Sequence, residues 1–108
     1  MTKYVTMRRW SLKEDADEAA LIALVRDGIV PAYRRQPGCL KLALLRTADP
    51  VSYLALTYWE SRAAFDAWAG EGGQRWRDEY RLTLERWLEL MSFNEEWTAD
   101  VLMSSDVS

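Results

Sequence analysis

The chain contains no histidine. That removes the commonest general base, the commonest metal ligand and any triad built on an imidazole. What remains for chemistry is a short set. Arg8 and Asp100 could act as an anion handle and a base, because a carboxylate in an aromatic cavity has a raised pKa that suits it to taking a proton. The same pair reads more simply as an ion pair tying two strands together, and that reading is favoured. Trp59 could stack a flat substrate or fill an interface, with Tyr53 as a second ring and Thr6 and Thr57 as hydrogen-bonding hydroxyls. Cys39 has no base in view, so it reads as packing rather than as a nucleophile. The GEGG run at 70–73 carries Glu71 and no following lysine, which makes it a helix break rather than a phosphate loop. No acidic spacing looks like a ligand loop, so no metal is expected.

These side chains need elements to hold them. YVTMRRW at 4–10 alternates as a strand. Ser11 and Asp15 each begin a capping-box pattern. A helix is expected over about 15–28, weakened at Gly28 and restarting with Pro31 in its first turn to about Arg35. CLKLALLRTA (39–48) and VSYLALTYW (51–59) form a hairpin around a proline turn. Ser61 caps a short helix that carries Ala64, Phe65 and Trp68. An apolar stripe from Trp76 to Met91 predicts a longer helix, and EWTADVLM (96–103) a last strand. Residues 1–103 are then a single domain, and SSDVS at 104–108 a frayed tail.

The order β-α-β-β-α-β specifies an α+β fold, a ferredoxin-like antiparallel sheet with its helices on one face. Alternation sorts the strand residues between the two faces. With Leu54, Leu56 and Tyr58 assigned to the helices, the uncovered face would hold Thr6, Arg8, Trp10, Tyr53, Thr57, Trp59, Thr98 and Asp100. Trp68, Trp76, Trp87 and Trp97 are expected as packing, and Trp10 is open between the two roles. A bare face with rings and hydroxyls has to be covered by a second copy or a ligand, and its composition is that of a ligand pocket. Six tryptophans and five tyrosines are many for one small core, which points the same way.

The composition excludes several classes. Apolar residues make up 49% and charged residues 29%, as in ordinary globular proteins. The net charge of −3 argues against nucleic acid as a partner. The RNA-binding fold that shares this element order also needs a glycine-aromatic strand signature that is missing here. MTKYVTMRRW has no apolar signal region, and no run reaches membrane-spanning length, so no membrane partner and a cytoplasmic location are expected.

RRQPGCLKLALLRTADPVSYLALTYWESRAAFDAW resembles the core of the antibiotic biosynthesis monooxygenase domain family. The features that match are PGC-L before the second strand, the DP turn, a third strand ending in aromatic-W-E-S, and an A-x-x-x-W helix start. The resemblance spans roughly 3–103 and is sharpest over 31–68. It implies a homodimeric α+β barrel in which two ferredoxin-like sheets pack face to face. It also implies a cofactor-independent monooxygenase acting on a small planar aromatic or enolisable substrate, in a pocket between the helices and sheet of that dimeric barrel. The family tryptophan at the end of the third strand falls on Trp59. By this reading Trp59 and Asp100 are the catalytic candidates, and Thr6, Arg8, Trp10, Tyr53 and Thr57 bind substrate. The haem-degrading branch is disfavoured, since its strand-one asparagine falls at about Arg8 and its histidine near Arg77 or Asp78. The alternative to turnover is a dimeric module that binds a small aromatic molecule without changing it.

Overall fold

The structure, a computed structural model, describes residues 2–48 and 50–107. Met1, Asp49 of the proline turn and Ser108 of the expected tail lie outside the described residues. The chain runs through strand β1 (Tyr4–Leu12), helix α1 (Glu18–Leu24), a π-helical turn (Val25–Ile29) and helix α2 (Val30–Arg34). Strands β2 (Cys39–Ala48) and β3 (Val51–Trp59) follow, then helix α3 (Arg62–Ala69) and a 3-10 turn (Glu71–Gly73). Helices α4 (Gln74–Glu79) and α5 (Arg81–Leu90) lead into strand β4 (Met91–Asp100). The sheet is antiparallel in the order β2-β3-β1-β4, so β1 and β3 are central. This is the ferredoxin-like α+β arrangement expected from the sequence.

The first helical stretch shows how local chemistry sets geometry. Asp17, not Ser11 or Asp15, is the N-cap: its carboxylate accepts from the Ala20 amide at 2.7 Å. Ser11 lies inside β1, which runs two residues past the expected end. At Pro31 the helix does not stop and restart. A proline lacks its N–H and its ring crowds the carbonyl four residues back. The chain widens into a π turn instead, in which the Val30 amide reaches the Val25 carbonyl, and continues as α2. Ser61 caps α3 as expected, accepting from the Ala64 amide at 3.1 Å.

β4 begins at Met91, five residues before the expected strand. The reason is a bulge. Arg9 pairs with Glu95 but Trp10 pairs with Phe93, so the alternation of β4 changes phase at Asn94. A single period-two pattern does not extend across that point, and the first half of the strand is hidden from it.

Two aromatic clusters hold the helices to the sheet. In one, Trp10 and Tyr53 of the sheet meet Leu21, Ile29, Trp87 and Leu90. In the other, Tyr4 and Trp59 meet Ala32, Trp68 and Trp76. Trp76 donates its indole N–H to the Ala32 carbonyl at 2.7 Å, pinning α4 to α2. No helix among the described residues is long and apolar enough to cross a membrane.

The face assignment is reversed from expectation. Trp59 is fully buried beneath the helical layer, against Phe65 and Trp68 of α3. Leu54, Leu56 and Tyr58 alternate with it, so they point away from the helices and are half-buried. Trp97, expected as core, is 43% exposed. The grouping of residues into faces held. The side on which the helices lie did not, because both faces of this sheet are apolar.

Candidate functional site

The side chains on the helix side of the two central strands follow a size pattern. Along β3 they are Tyr53, Ala55, Thr57 and Trp59, and along β1 they are Tyr4, Thr6, Arg8 and Trp10. Both series run from a ring, through smaller or flexible residues, to a ring. The register aligns them: Tyr4 opposite Trp59, Thr6 opposite Thr57, Arg8 opposite Ala55, and Trp10 opposite Tyr53. Two aromatic rows therefore prop the helices away from the sheet, and the rows between them cannot fill the gap. The result is a cavity of about 210 Å³ between the sheet and the helices.

Thr6, Thr57 and Ala55 form its floor, with Leu42 of β2 beside them. Trp59 and Trp68 wall one end, and Trp10 and Trp87 the other. Tyr33 of α2 and Leu84 and Leu88 of α5 close over it. Trp59 and Trp68 are tilted rings 5.4 Å apart, and Trp10 stands edge-on to Trp87 at 5.3 Å. The indole N–H groups of Trp10, Trp59 and Trp68 are all buried without a hydrogen-bond partner. Leaving a buried donor unpaired costs about 1–3 kcal/mol, so three around one cavity, at both of its ends, mark a place selected for something other than stability.

Arg8 supplies the charge. Its guanidinium meets Glu96 of β4 at 3.4 Å, with both side chains about a third exposed, so the pair is partly open to solvent on the β4 side. An ion pair this exposed is weak and screened by salt. Tyr33 is the other ionisable group of the wall. Burial pushes its phenol up to about 12, against a pull downward from Arg8 and a smaller push from Cys39. It is thus a neutral O–H donor at any ordinary pH. Among the described residues, no carboxylate lines the cavity, and no cluster of three potential metal ligands occurs.

Of the expected site residues, Thr6, Arg8, Trp10, Thr57 and Trp59 all line this one cavity. Tyr53 does not. It is packed into the core beside Trp10, on the side of Glu18, which pairs with Arg46. Asp100 is also outside. It lies exposed at the end of β4 opposite Tyr4, two rows from Arg8, so it is in no position to act as a base there. The partner of Arg8 is Glu96 rather than Asp100.

Sequence reasoning missed Tyr33 and assigned Trp68 and Trp87 to packing alone. Trp68 is aimed by an unforeseen clamp. Arg77 donates to the carbonyls of Trp68 at 2.8 Å and Gly70 at 2.7 Å, a cation on the last carbonyls of α3. Gly73 makes this turn possible: a Cβ there would fall 1.8 Å from the Trp68 carbonyl oxygen. A glycine-rich helix break followed four residues later by an arginine was the available signal. Tyr33 could have been found from its place two residues after Pro31, where the π turn rotates it onto the sheet side.

The profile of a family described as antibiotic biosynthesis monooxygenase matches residues 3–75. No curated protein matches the sequence significantly. Among solved structures, SnoaB of Streptomyces nogalater, described as a cofactor-independent oxygenase, is 19% identical with a TM-score of 0.70, over 96% of this chain and 97% of its own. HapK of Hahella chejuensis is 16% identical with a TM-score of 0.76, over 97% and 98%. A heme-degrading protein of Mycobacterium tuberculosis is 19% identical with a TM-score of 0.65, over 96% and 99%. At these identities the likeness establishes the shared fold, and that fold carries more than one chemistry.

Proposed function

We propose that this chain, which belongs to the antibiotic biosynthesis monooxygenase family, oxygenates a small planar aromatic or enolisable substrate in the cavity beneath its helices, without a bound cofactor. The observation that supports this most is the cavity lining: two hydroxyls and an arginine between tryptophan walls, roofed by helices. In the reaction the substrate itself is the reductant. A ring methylene loses a proton to give a carbanion delocalised as an enolate, and one electron passes from it to O₂. The radical pair collapses into a carbon–oxygen bond, giving a peroxide. Loss of the remaining C–H proton and cleavage of the O–O bond leave a carbonyl and water. Methylene and O₂ thus become carbonyl and water, and the electrons balance. Trp59 stacks the ring, Thr6 and Thr57 orient it, and Arg8 stabilises the anion.

The working unit is a homodimer. The face away from the helices carries Leu54, Leu56, Met7 and Tyr58, with Leu45 and Trp97 exposed at 46% and 43%. An apolar sheet face of this kind needs a cover, and a second copy supplies the same surface in return.

Oxygen uptake tests the activity, with one-, two- and three-ring enolisable phenols and ketones as substrates. The wild type should exceed the buffer rate for at least one compound. Trp59→Ala should lose most of that gain, and so should Thr57→Val, which keeps the volume and removes the hydroxyl. Wild-type rates equal to buffer, or unchanged in both variants, would remove the proposal. The second reading, ligand binding without turnover, is favoured by one observation: among the described residues, no carboxylate lines the cavity to take a proton. Saturable binding with no oxygen consumed would select it.

A further inference from the structure

We infer that Arg8 and Tyr33 form a two-donor anchor for the ionised oxygen of a one- or two-ring ligand, which the cavity takes up already as an anion. This deepens the reading above, since it concerns the ligand of the same cavity. Three observations carry it. The first is the polarity of the wall. The side chains with polar atoms that line the cavity are Arg8, Tyr33, Thr6, Thr57 and four tryptophans. Arginine and indole only donate, and the hydroxyls can donate. No lining group of the described residues carries negative charge, so the complementary ligand is rich in acceptors and negative.

The second is the absence of a proton acceptor. Deprotonating a bound neutral ligand needs a base within hydrogen-bond reach. Glu96 and Tyr33 are the titratable groups that face Arg8, from β4 and α2. Glu96 is outside the cavity wall and already holds the guanidinium. Tyr33 is a buried neutral phenol, and Cys39, whose thiol burial also raises, is not among the lining residues. The ligand therefore loses its proton in water, before entry, and the anion is what the site selects. Arg8 neutralises it, and the neighbouring Tyr33 hydroxyl gives it a hydrogen bond.

The third is size. A dry cavity of about 150 Å³ accommodates benzene, whereas drug-sized pockets begin at about 300 Å³. At about 210 Å³ this cavity suits one substituted ring or two fused rings.

Equilibrium dialysis without oxygen tests the anchor, with three probes on the intact protein. Para-nitrophenol ionises near neutrality, para-nitroanisole is its methyl ether and cannot ionise, and a hydroxyanthraquinone is a three-ring acid. Affinity for para-nitrophenol should rise about tenfold per pH unit up to the ligand's own pKa and then level off. The ether and the three-ring acid should bind at least tenfold more weakly. Arg8→Gln should lower phenolate affinity on the order of a hundredfold and flatten the pH dependence, and Tyr33→Phe should lower it roughly tenfold with the inflection kept. Arg8→Lys should restore part of the gain, and circular dichroism checks that each variant is folded. Equal binding of phenol and ether, a pH-independent affinity, no binding of para-nitrophenol, or an unaffected Arg8→Gln would each overturn the inference. Anion-selective binding, with no oxygen uptake on any of the enolisable phenols and ketones named above, leaves the anchor standing and removes the oxygenase. Turnover of an enolisable substrate with the same KM in the wild type, Arg8→Gln and Tyr33→Phe does the reverse.

Discussion

The two faces of one sheet are both apolar, yet they are built differently. Beneath the helices, rings at both ends of β1 and β3 enclose smaller residues, and the interval is a cavity. On the other side no ring faces a ring. Leu56 faces Met7 and Ala43, and Met7 faces Trp97, so no pair of ring rows encloses a gap. A face with a step in side-chain size keeps a space, whereas a level face offers a surface. The first suits a small molecule and the second a flat partner such as another sheet.

The largest expected effect lies on the stepped face. Trp59→Ala removes a fully buried ring shared with Phe65 and Trp68, and should cost about 3–5 kcal/mol in urea unfolding. Leu56→Ala on the level face, where the side chain is half-exposed in one copy, should cost a dilute monomer about 1 kcal/mol. Equal losses would erase the contrast between the faces. Next in size is association. Leu56→Lys puts a charge in the middle of the level face and should weaken dimerisation by about 2 kcal/mol, roughly thirtyfold, in sedimentation. A wild type that stays monomeric at high concentration would contradict the partner role of that face. Smallest is the clamp. Arg77→Met removes the donor to the Trp68 and Gly70 carbonyls and should lower stability by about 1 kcal/mol, with a larger proportional loss of ligand affinity as Trp68 drifts.

Which residues share a face was legible, because period-two alternation needs only the strand assignment. Thr6, Arg8, Trp10, Thr57 and Trp59 were brought together by that reasoning and do line one cavity. Which face the helices cover was not legible. Leucines usually mark the covered side, but a sheet apolar on both faces supplies no contrast, and here the leucines of β3 lie on the open side. The clue that was passed over is the size step at Ala55 and Thr57 between Tyr53 and Trp59. Asp100 shares a face with Thr6 and Arg8 by alternation, yet β4 is an edge strand and its residues there lie exposed, outside the cavity. Tyr33 was hidden for another reason. The π turn before it rotates α2 by a fraction of a turn, and no regular helical period carries through that step.

A crystal structure with a bound two-ring hydroxyquinone anion bears on all of this at once. Its rings should lie over Thr6 and Thr57, between the Trp59 and Trp10 ends, with the charged oxygen directed at Arg8 and Tyr33. Density for the compound against Leu54 and Leu56 instead, with nothing beneath the helices, would contradict the account.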